Sequence, residues 1–130
     1  MARSREMLSM ASLHPEFFIR LYLSRSAMIG PGKAAMLEGI ARTGSISAAG
    51  RDLGMSYKRA WMLIETMNAM FREPLVSSVR GGPGGGGARL TETGQTALAL
   101  YREIEAASVA VNADRIARLK SLLADVADEK

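Results

Sequence analysis

Residues 44–71 carry the sequence GSISAAGRDLGMSYKRAWMLIETMNAMF, which predicts two short helices joined by a tight turn. Ser45 is suited to begin the first helix, because its hydroxyl can accept a hydrogen bond from a free backbone N–H of the first turn. Gly54 follows as a residue that tolerates the positive φ of a helix end. Ser56 can begin the second helix in the same way. Two capped helices around a glycine turn are the helix-turn-helix pattern.

Small residues lie where the two helices would cross. Ala49 and Gly50 share one face of the first helix, and Ala60 of the second helix lies at the same crossing. The apolar stripe of the second helix consists of Ala60, Ile64, Met67 and Phe71. The N-terminal end of that helix would expose Ser56, Tyr57, Lys58 and Arg59. Because this end enters the major groove of DNA in such motifs, the pattern predicts sequence-specific DNA binding.

The neighbouring segments complete a three-helix core. Residues 17–24 alternate with the period of a half-buried strand, although an N-terminal helix of similar composition is the alternative. A further helix is predicted from about Lys33 to Thr43, where Gly44 ends it. Pro74 ends the second helix of the motif, because the residue before a proline is pushed out of the α region.

A glycine-rich segment at residues 80–89 separates two short strands, predicted at residues 75–79 and 88–90. This arrangement is typical of a β-hairpin with a flexible tip, the wing of a winged helix, although a plain turn is the alternative. Glycines let backbone N–H groups approach phosphates without a Cβ in the way. The predicted DNA contacts of the hairpin are Arg80, Gly82, Gly84 and Arg89. The glycines also fit the G-x-G-x-x-G spacing, but a strand rather than a helix follows, so no nucleotide site is predicted.

Residues 91–130 predict a long helix that begins with Thr91 as its N-cap. Asn112 marks a candidate break, after which the apolar pattern continues to Val126. A short domain cannot bury so many apolar side chains, so we expect a partner helix, most economically from a second copy of the chain. Packing on the N-terminal strand is the alternative. The predicted dimerisation residues are Leu98, Leu100, Tyr101, Ile104, Ala107, Val111, Leu119 and Leu122.

Charge is distributed unevenly along the 130 residues. Residues 1–90 hold 12 Lys and Arg against 6 Asp and Glu, whereas residues 91–130 hold 5 against 7. A basic body with an acidic final segment fits one part that faces DNA and another that faces elsewhere. No Cys is present and His14 is the single histidine, which argues against a metal site and excludes thiol catalysis. No segment approaches the roughly 20 apolar residues of a membrane span. We therefore expect a cytoplasmic protein that is not an enzyme.

Three segments carry a recognisable combination of motifs: TGSISAAGRDLGMSYKRAW at residues 43–61, EPLV at residues 73–76, and GGPGGGGARLTETG at residues 81–94. Together they resemble the N-terminal DNA-binding domain of ModE-type molybdate-responsive regulators, a winged helix related to that of LysR-type regulators. The resemblance implies a homodimer formed through the helix after the wing, with the helix that begins at Ser56 in the major groove. Trp61 matches the family's characteristic Trp, and we expect it to pack against the wing or the preceding helix.

This sequence also departs from the family's pattern. Gly50 stands where the family usually has Ala, and Arg80 and Pro83 replace the usual Thr and a basic residue of the wing. Full-length family members carry two small β-barrel modules that bind molybdate, whereas residues 91–130 have a helical pattern here. No segment supplies the backbone N–H nest that an oxyanion needs. We therefore expect no cofactor and no molybdate site in this chain.

Taken together, these patterns predict a mainly α fold with a small β wing. Residues 1–90 would form a winged helix-turn-helix domain with the wing at residues 75–90, and residues 91–130 a long helical dimerisation segment. We expect a homodimeric repressor of the molybdate-responsive type that binds double-stranded DNA at a near-palindromic operator. The alternative is a regulatory interaction module that dimerises with a separate effector-binding chain. The predicted DNA-binding residues are Ser45, Arg51, Ser56, Tyr57, Lys58, Arg59, Arg72, Arg80, Gly82, Gly84 and Arg89.

Overall fold

The computed structural model describes residues 17–79 and 87–125. Within them, a β-hairpin is followed by three helices, a second hairpin and a long fourth helix. The elements are β1 (Leu21–Ser24), β2 (Ala27–Ile29), α1 (Pro31–Thr43), α2 (Ile46–Asp52), α3 (Tyr57–Met70), β3 (Val76–Val79), β4 (Gly87–Leu90) and α4 (Glu92–Ser121). This order confirms the predicted mainly α fold with a small β wing. The three-helix core consists of α1, α2 and α3, and the wing is the β3–β4 hairpin.

The helix-turn-helix forms where its caps predict it. The Ser45 hydroxyl accepts a 3.0 Å hydrogen bond from the Ala48 N–H, and the Ser56 hydroxyl accepts one of 3.1 Å from the Arg59 N–H. Gly54 lies in the turn between the two helices with a φ of 75°, a conformation that side chains seldom adopt. The caps and the glycine therefore fix the start of α2, the turn and the start of α3.

Small residues bring α2 close to both of its neighbours. A Cβ on Gly50 would lie 2.7 Å from the Cβ of Ala60 in α3, and one on Gly39 in α1 would lie 2.8 Å from the Cβ of Ala49. Neither crossing has room for another methyl group, which confirms the crossing predicted at Gly50 and adds Gly39 to it. The fully buried side chains of this core include Met36, Leu37, Ile40, Ile64, Met67 and Leu75.

The N-terminal hairpin is only partly as predicted. The strand expected at residues 17–24 is limited to β1, and residues 17–20 precede it without regular structure. Its antiparallel partner β2, with Leu21 opposite Ile29, was not predicted because three residues are too few to show a period. The alternative of a helix over residues 17–24 is wrong.

The wing is anchored to the helical core along its base. Strand β3 pairs antiparallel with β4, with Val76 opposite Leu90 and Val79 opposite Gly87. The Ala88 N–H donates a 2.9 Å hydrogen bond to the carbonyl oxygen of Gly44, the residue that ends α1. The hairpin is therefore held against the start of the helix-turn-helix. The predicted contacts at Arg80, Gly82 and Gly84 lie outside the described residues.

Helix α4 is one uninterrupted helix of 30 residues. Thr91 begins it as predicted, because its hydroxyl accepts a 3.0 Å hydrogen bond from the Gly94 N–H and donates one of 2.7 Å to the Pro74 carbonyl. The break predicted at Asn112 is wrong. The Asn112 side-chain amide donates to the Ser108 carbonyl one turn earlier and is accommodated within the helix.

The first half of α4 packs on the body of the protein. Tyr101 is 1% exposed, lies against Ile29 and Ala34, and donates a 2.7 Å hydrogen bond from its hydroxyl to the Ile19 carbonyl. Leu98 is half-buried in the same region. These two residues were predicted on the dimerisation stripe, but they belong to the chain's own core. For them the alternative, packing on the N-terminal segment, is correct, because the β1–β2 hairpin covers that side of the helix.

Candidate nucleic-acid interface

The first turn of α3 forms an exposed, positively charged end. Tyr57 is 59% exposed, and the side chains of Lys58 and Arg59 are exposed beside it. The turn contains no acidic residue, so the positive end of the helix dipole adds to the two cations. The Ser56 hydroxyl is held by its capping hydrogen bond and sets where this turn begins. The arrangement attracts a polyanion to the N-terminal end of α3.

The geometry of α3 gives it four distinct sides. Ala60 and Ile64 mark the side that is buried in the core, and Lys58 and Glu65 lie on the outward side. At 3.6 residues per turn, the two remaining flanks lie about 170° apart around the helix axis. One flank, beside the wing, carries Tyr57 and Trp61, and the other, beside the start of α1, carries Arg59, Met62, Leu63 and Thr66. Because Glu65 would repel phosphate, the N-terminal half of α3 is the part suited to DNA.

The flank beside the wing holds an aromatic pair. A cleft of about 250 Å³ separates α3 from the start of α2 and from the wing, and Trp61 lines it together with Ser47 and Ser78. The Trp61 ring is half-buried and meets the Tyr57 ring edge-on, with 6.3 Å between the ring centroids. Trp61 therefore packs between helix and wing as expected, and its contact restrains Tyr57 at the surface.

Arg89 is the cation that the described part of the wing contributes. Ala88 and Leu90 are buried and Arg89 between them is exposed, because side chains alternate between the two faces of a strand. Its position opposite Ser77 in the β3–β4 ladder fixes where it leaves the sheet. Arg89 thus lies on the outer face of the wing, as its predicted role requires.

The other predicted contacts are distributed differently. Arg51 is exposed in the last turn of α2, and Ser45 lines the cleft beside Trp61 while its hydroxyl caps α2. Arg72 follows the C-terminal end of α3, about 20 Å along the helix from Ser56. The structure therefore brings Ser45 together with the first turn of α3 but places Arg72 at the far end.

Asn68 positions the wing and was missed by the sequence analysis. Its side-chain oxygen accepts hydrogen bonds from the N–H groups of Leu75 (2.8 Å) and Val76 (3.1 Å), and its amide donates one of 3.0 Å to the Val76 carbonyl. One side chain of α3 thereby satisfies the backbone where β3 begins. The only sequence signal was an amide residue in the last turns of a helix that ends before Glu73-Pro74.

Comparison with known proteins agrees with this geometry. Residues 33–95 match the family described as bacterial regulatory helix-turn-helix protein, lysR family. The chain is 48% identical over 80 residues to the molybdenum-pterin-binding protein MopB of Rhodobacter capsulatus, covering 62% of this chain and 30% of that protein. It is 40% identical over 89 residues to the DNA-binding transcriptional dual regulator ModE of Escherichia coli (strain K12), covering 68% and 34%.

A third relative is the molybdenum transport protein ModE of Azotobacter vinelandii, 49% identical over 70 residues, or 54% of this chain and 26% of that protein. The chain thus spans about a third or less of the length of these relatives. Among the described residues, no helix is long and apolar enough to cross a membrane. The matched family is described as regulatory helix-turn-helix proteins and the Escherichia coli relative as a DNA-binding regulator, which agrees with the expectation of a non-enzymatic role. Residues 33–95 therefore form a helix-turn-helix domain of the lysR type, and the relatives that resemble this part of the chain include ModE and MopB.

Proposed function

We propose that the chain is a homodimeric repressor of molybdate-related genes that recognises its operator with α3. The observation that carries this proposal is the exposed first turn of α3, with two adjacent cations, a capped start and a wing held beside it. The connection to molybdate comes from the names of the relatives. Repression would follow if the operator overlaps a promoter. Such a protein acts beside the chromosome, in the cytoplasm.

Lys58 and Tyr57 would meet base edges from the outward side and the wing-side flank of α3. Arg59, which is exposed on the flank beside the start of α1, would reach a base edge or the backbone, and an Arg that binds a guanine through two hydrogen bonds contributes about 1–3 kcal/mol of discrimination. Arg89 and Arg51 would bind backbone phosphates, which fix the position of the protein on the duplex. Affinity would therefore depend strongly on salt, whereas selectivity would depend on the first turn of α3.

The second half of α4 supports the homodimer. Val111 is 66% exposed and Leu122 is 78% exposed, so no described part of the chain covers these apolar side chains. With Leu100, Ile104 and Ala107 they follow one line along the helix, which a second copy of α4 would cover. A two-fold pair presents two α3 helices to sites about 34 Å apart on one face of the duplex. The operator should therefore be near-palindromic.

Selection from a random duplex pool tests this function. Purified protein should enrich a near-palindromic sequence, and Lys58→Ala should abolish the enrichment. Lys120→Ala removes the same charge from the end of α4 and should leave the enriched sequence unchanged. Dimerisation without sequence enrichment would contradict the proposal and favour the interaction module instead.

A second measurement addresses the ligand. We propose that residues 17–79 and 87–125 bind no molybdate by themselves, because their sequence supplies no backbone N–H nest of the kind that an oxyanion needs. Calorimetric titration with molybdate should give no saturable heat. Saturable binding near one ion per chain would overturn that part of the proposal.

A further inference from the structure

A second positively charged groove lies on the flank of α3 away from the wing. It encloses about 400 Å³ between the N-terminal segment, the start of α1 and the middle of α3. We call it the α1 groove, and its principal lining residues are Arg20, Gly30, Lys33, Met55, Arg59 and Met62. Of the three cations only Arg59 belongs to the helix-turn-helix, and no sequence pattern pointed to Arg20 or Lys33 as DNA contacts.

The cations of the α1 groove are not neutralised within the described residues. None of the ion pairs there involves Arg20, Lys33 or Arg59, and no Asp or Glu lines the groove. Burial lowers the pKa of Lys33. The first turn of α1 has no acidic residue and Gly30 supplies no side-chain cap, so the helix dipole adds to the positive charge.

Arg20 is placed over the start of α1 by direct packing. Its Cγ lies 3.0 Å from where a Cβ of Gly30 would stand, which means that the missing side chain of Gly30 makes room for the stem of Arg20. The sulfur of Met28 lies 3.3 Å from the same point. The packing of its aliphatic part against Gly30 therefore places the guanidinium of Arg20 at the rim of the groove, which Lys33 also lines.

The position of the groove indicates what it binds. An α-helix with its side chains is about 10–12 Å across and the major groove of DNA is about 12 Å wide, so the two DNA backbones must lie against the two flanks of the inserted helix. The wing occupies one flank of α3 and the α1 groove occupies the other. We propose that the α1 groove binds backbone phosphate of the DNA strand on the side of α3 opposite the wing, through Lys33 and Arg20.

The chemistry of the lining fits a nucleic-acid backbone better than a free oxyanion. Met28, Met55, Met62 and Leu63 line the groove together with the cations. Deoxyribose offers apolar surface between successive phosphates, so a backbone segment can contact both kinds of side chain at once. This inference rests on the proposed function, since it requires α3 in the major groove.

The test is a salt titration of binding to the enriched duplex. In the double variant Lys33→Gln/Arg20→Gln, loss of two phosphate contacts should reduce the slope of log K against log salt by about 1.8 and weaken binding at least about 10-fold. The ratio of affinities for the enriched and a scrambled duplex should stay unchanged. With Arg20 unchanged, Lys33→Arg should keep most of the salt slope that Lys33→Gln loses.

The matched control is Arg42→Gln/Lys120→Gln, which removes the same charge elsewhere. Arg42 lies about 13 Å along α1 from Lys33 and pairs with Asp52, so this variant should keep the wild-type slope. A wild-type slope in Lys33→Gln/Arg20→Gln, with selective binding intact, would overturn the inference alone. The inference would also be overturned by a site for free phosphate alone. In that case inorganic phosphate would bind saturably in calorimetry, only Lys33→Gln/Arg20→Gln would lose this binding, and the salt slope of DNA binding would stay unchanged. Absence of selective binding by the wild type would instead refute the proposed function.

Discussion

The two halves of α4 belong to one helix but have different surroundings. Up to Glu105, which is fully buried, the helix packs on the body through Gly94, Tyr101 and the ion bridge from Arg102 to Glu38 of α1. Beyond Glu105, no residue up to Asp125 is buried. The first half therefore sets the position of the helix, and the second half carries an apolar line into solvent. In the first half one side of the helix serves the core, while the exposed Leu100 and Ile104 begin the line that continues through the second half towards a proposed partner.

The largest expected effect is at Gly94, in the first half. A Cβ there would overlap the carbonyl oxygen of Leu75, because α4 begins directly against the wing strand. Gly94→Ala should lower the free energy of unfolding by at least about 3 kcal/mol in urea denaturation. Gly32→Ala is the control, since nothing lies within 4 Å of its Cβ, and it should be neutral or stabilising. Similar stabilities for the two variants would contradict the close seating of α4.

Two substitutions in the second half should separate dimerisation from folding. Val111→Glu/Leu122→Glu places charges on the exposed line and should raise the dimer dissociation constant at least about 100-fold in analytical ultracentrifugation. Ala113→Glu/Ala117→Glu adds the same charge on the other side of the helix and should leave the dimer intact. Equal effects of both pairs would show that the exposed line is not the interface.

Removing one arginine from each half of α4 compares an ion-paired arginine with an exposed one. Arg102 lies 2.6 Å from Glu38 of α1 and 2.9 Å from the buried Glu105, whereas Arg115 is exposed in the second half. Arg102→Ala should cost about 2 kcal/mol of unfolding free energy, less than a fully buried pair because Glu38 is partly exposed. Arg115→Ala should change it by less than about 0.5 kcal/mol. Thermal denaturation of both variants would decide the point.

The smallest expected effect is at Tyr101. Burial, with Glu105 adding and Arg102 and Arg20 opposing, raises its pKa to about 12. The unfolded chain has a Tyr pKa of about 10, so the stabilising contribution of protonated Tyr101 is fully present below pH 10 and is lost as the pH rises towards 12.

Tyr101→Phe tests this dependence directly. It should cost about 1 kcal/mol near neutral pH through the lost hydrogen bond to Ile19, and it should lose less stability than the wild type between pH 10 and 12. Tyr22→Phe is the exposed control and should follow the wild type throughout. Parallel pH profiles for wild type and Tyr101→Phe would contradict the pKa shift.

Local chemistry made much of the fold predictable. The caps at Ser45, Ser56 and Thr91 and the turn at Gly54 each act within a few residues of chain, so the sequence displays them directly. The small residues at the crossing and the glycine-rich separation of the wing strands are likewise visible as patterns. They suffice for the helix-turn-helix, the wing strands and the exposed first turn of α3.

Only the tertiary structure decided how distant segments share surfaces. Tyr101 and Val111 both belong to the apolar pattern of one helix, and Tyr101 is core only because the β1–β2 hairpin covers it. Asn68 reaches the wing, and Arg20 and Lys33 meet Arg59 around the α1 groove, through the packing of elements far apart in sequence. Sequence periodicity shows which side of a helix avoids water, but which element covers that side depends on non-local packing.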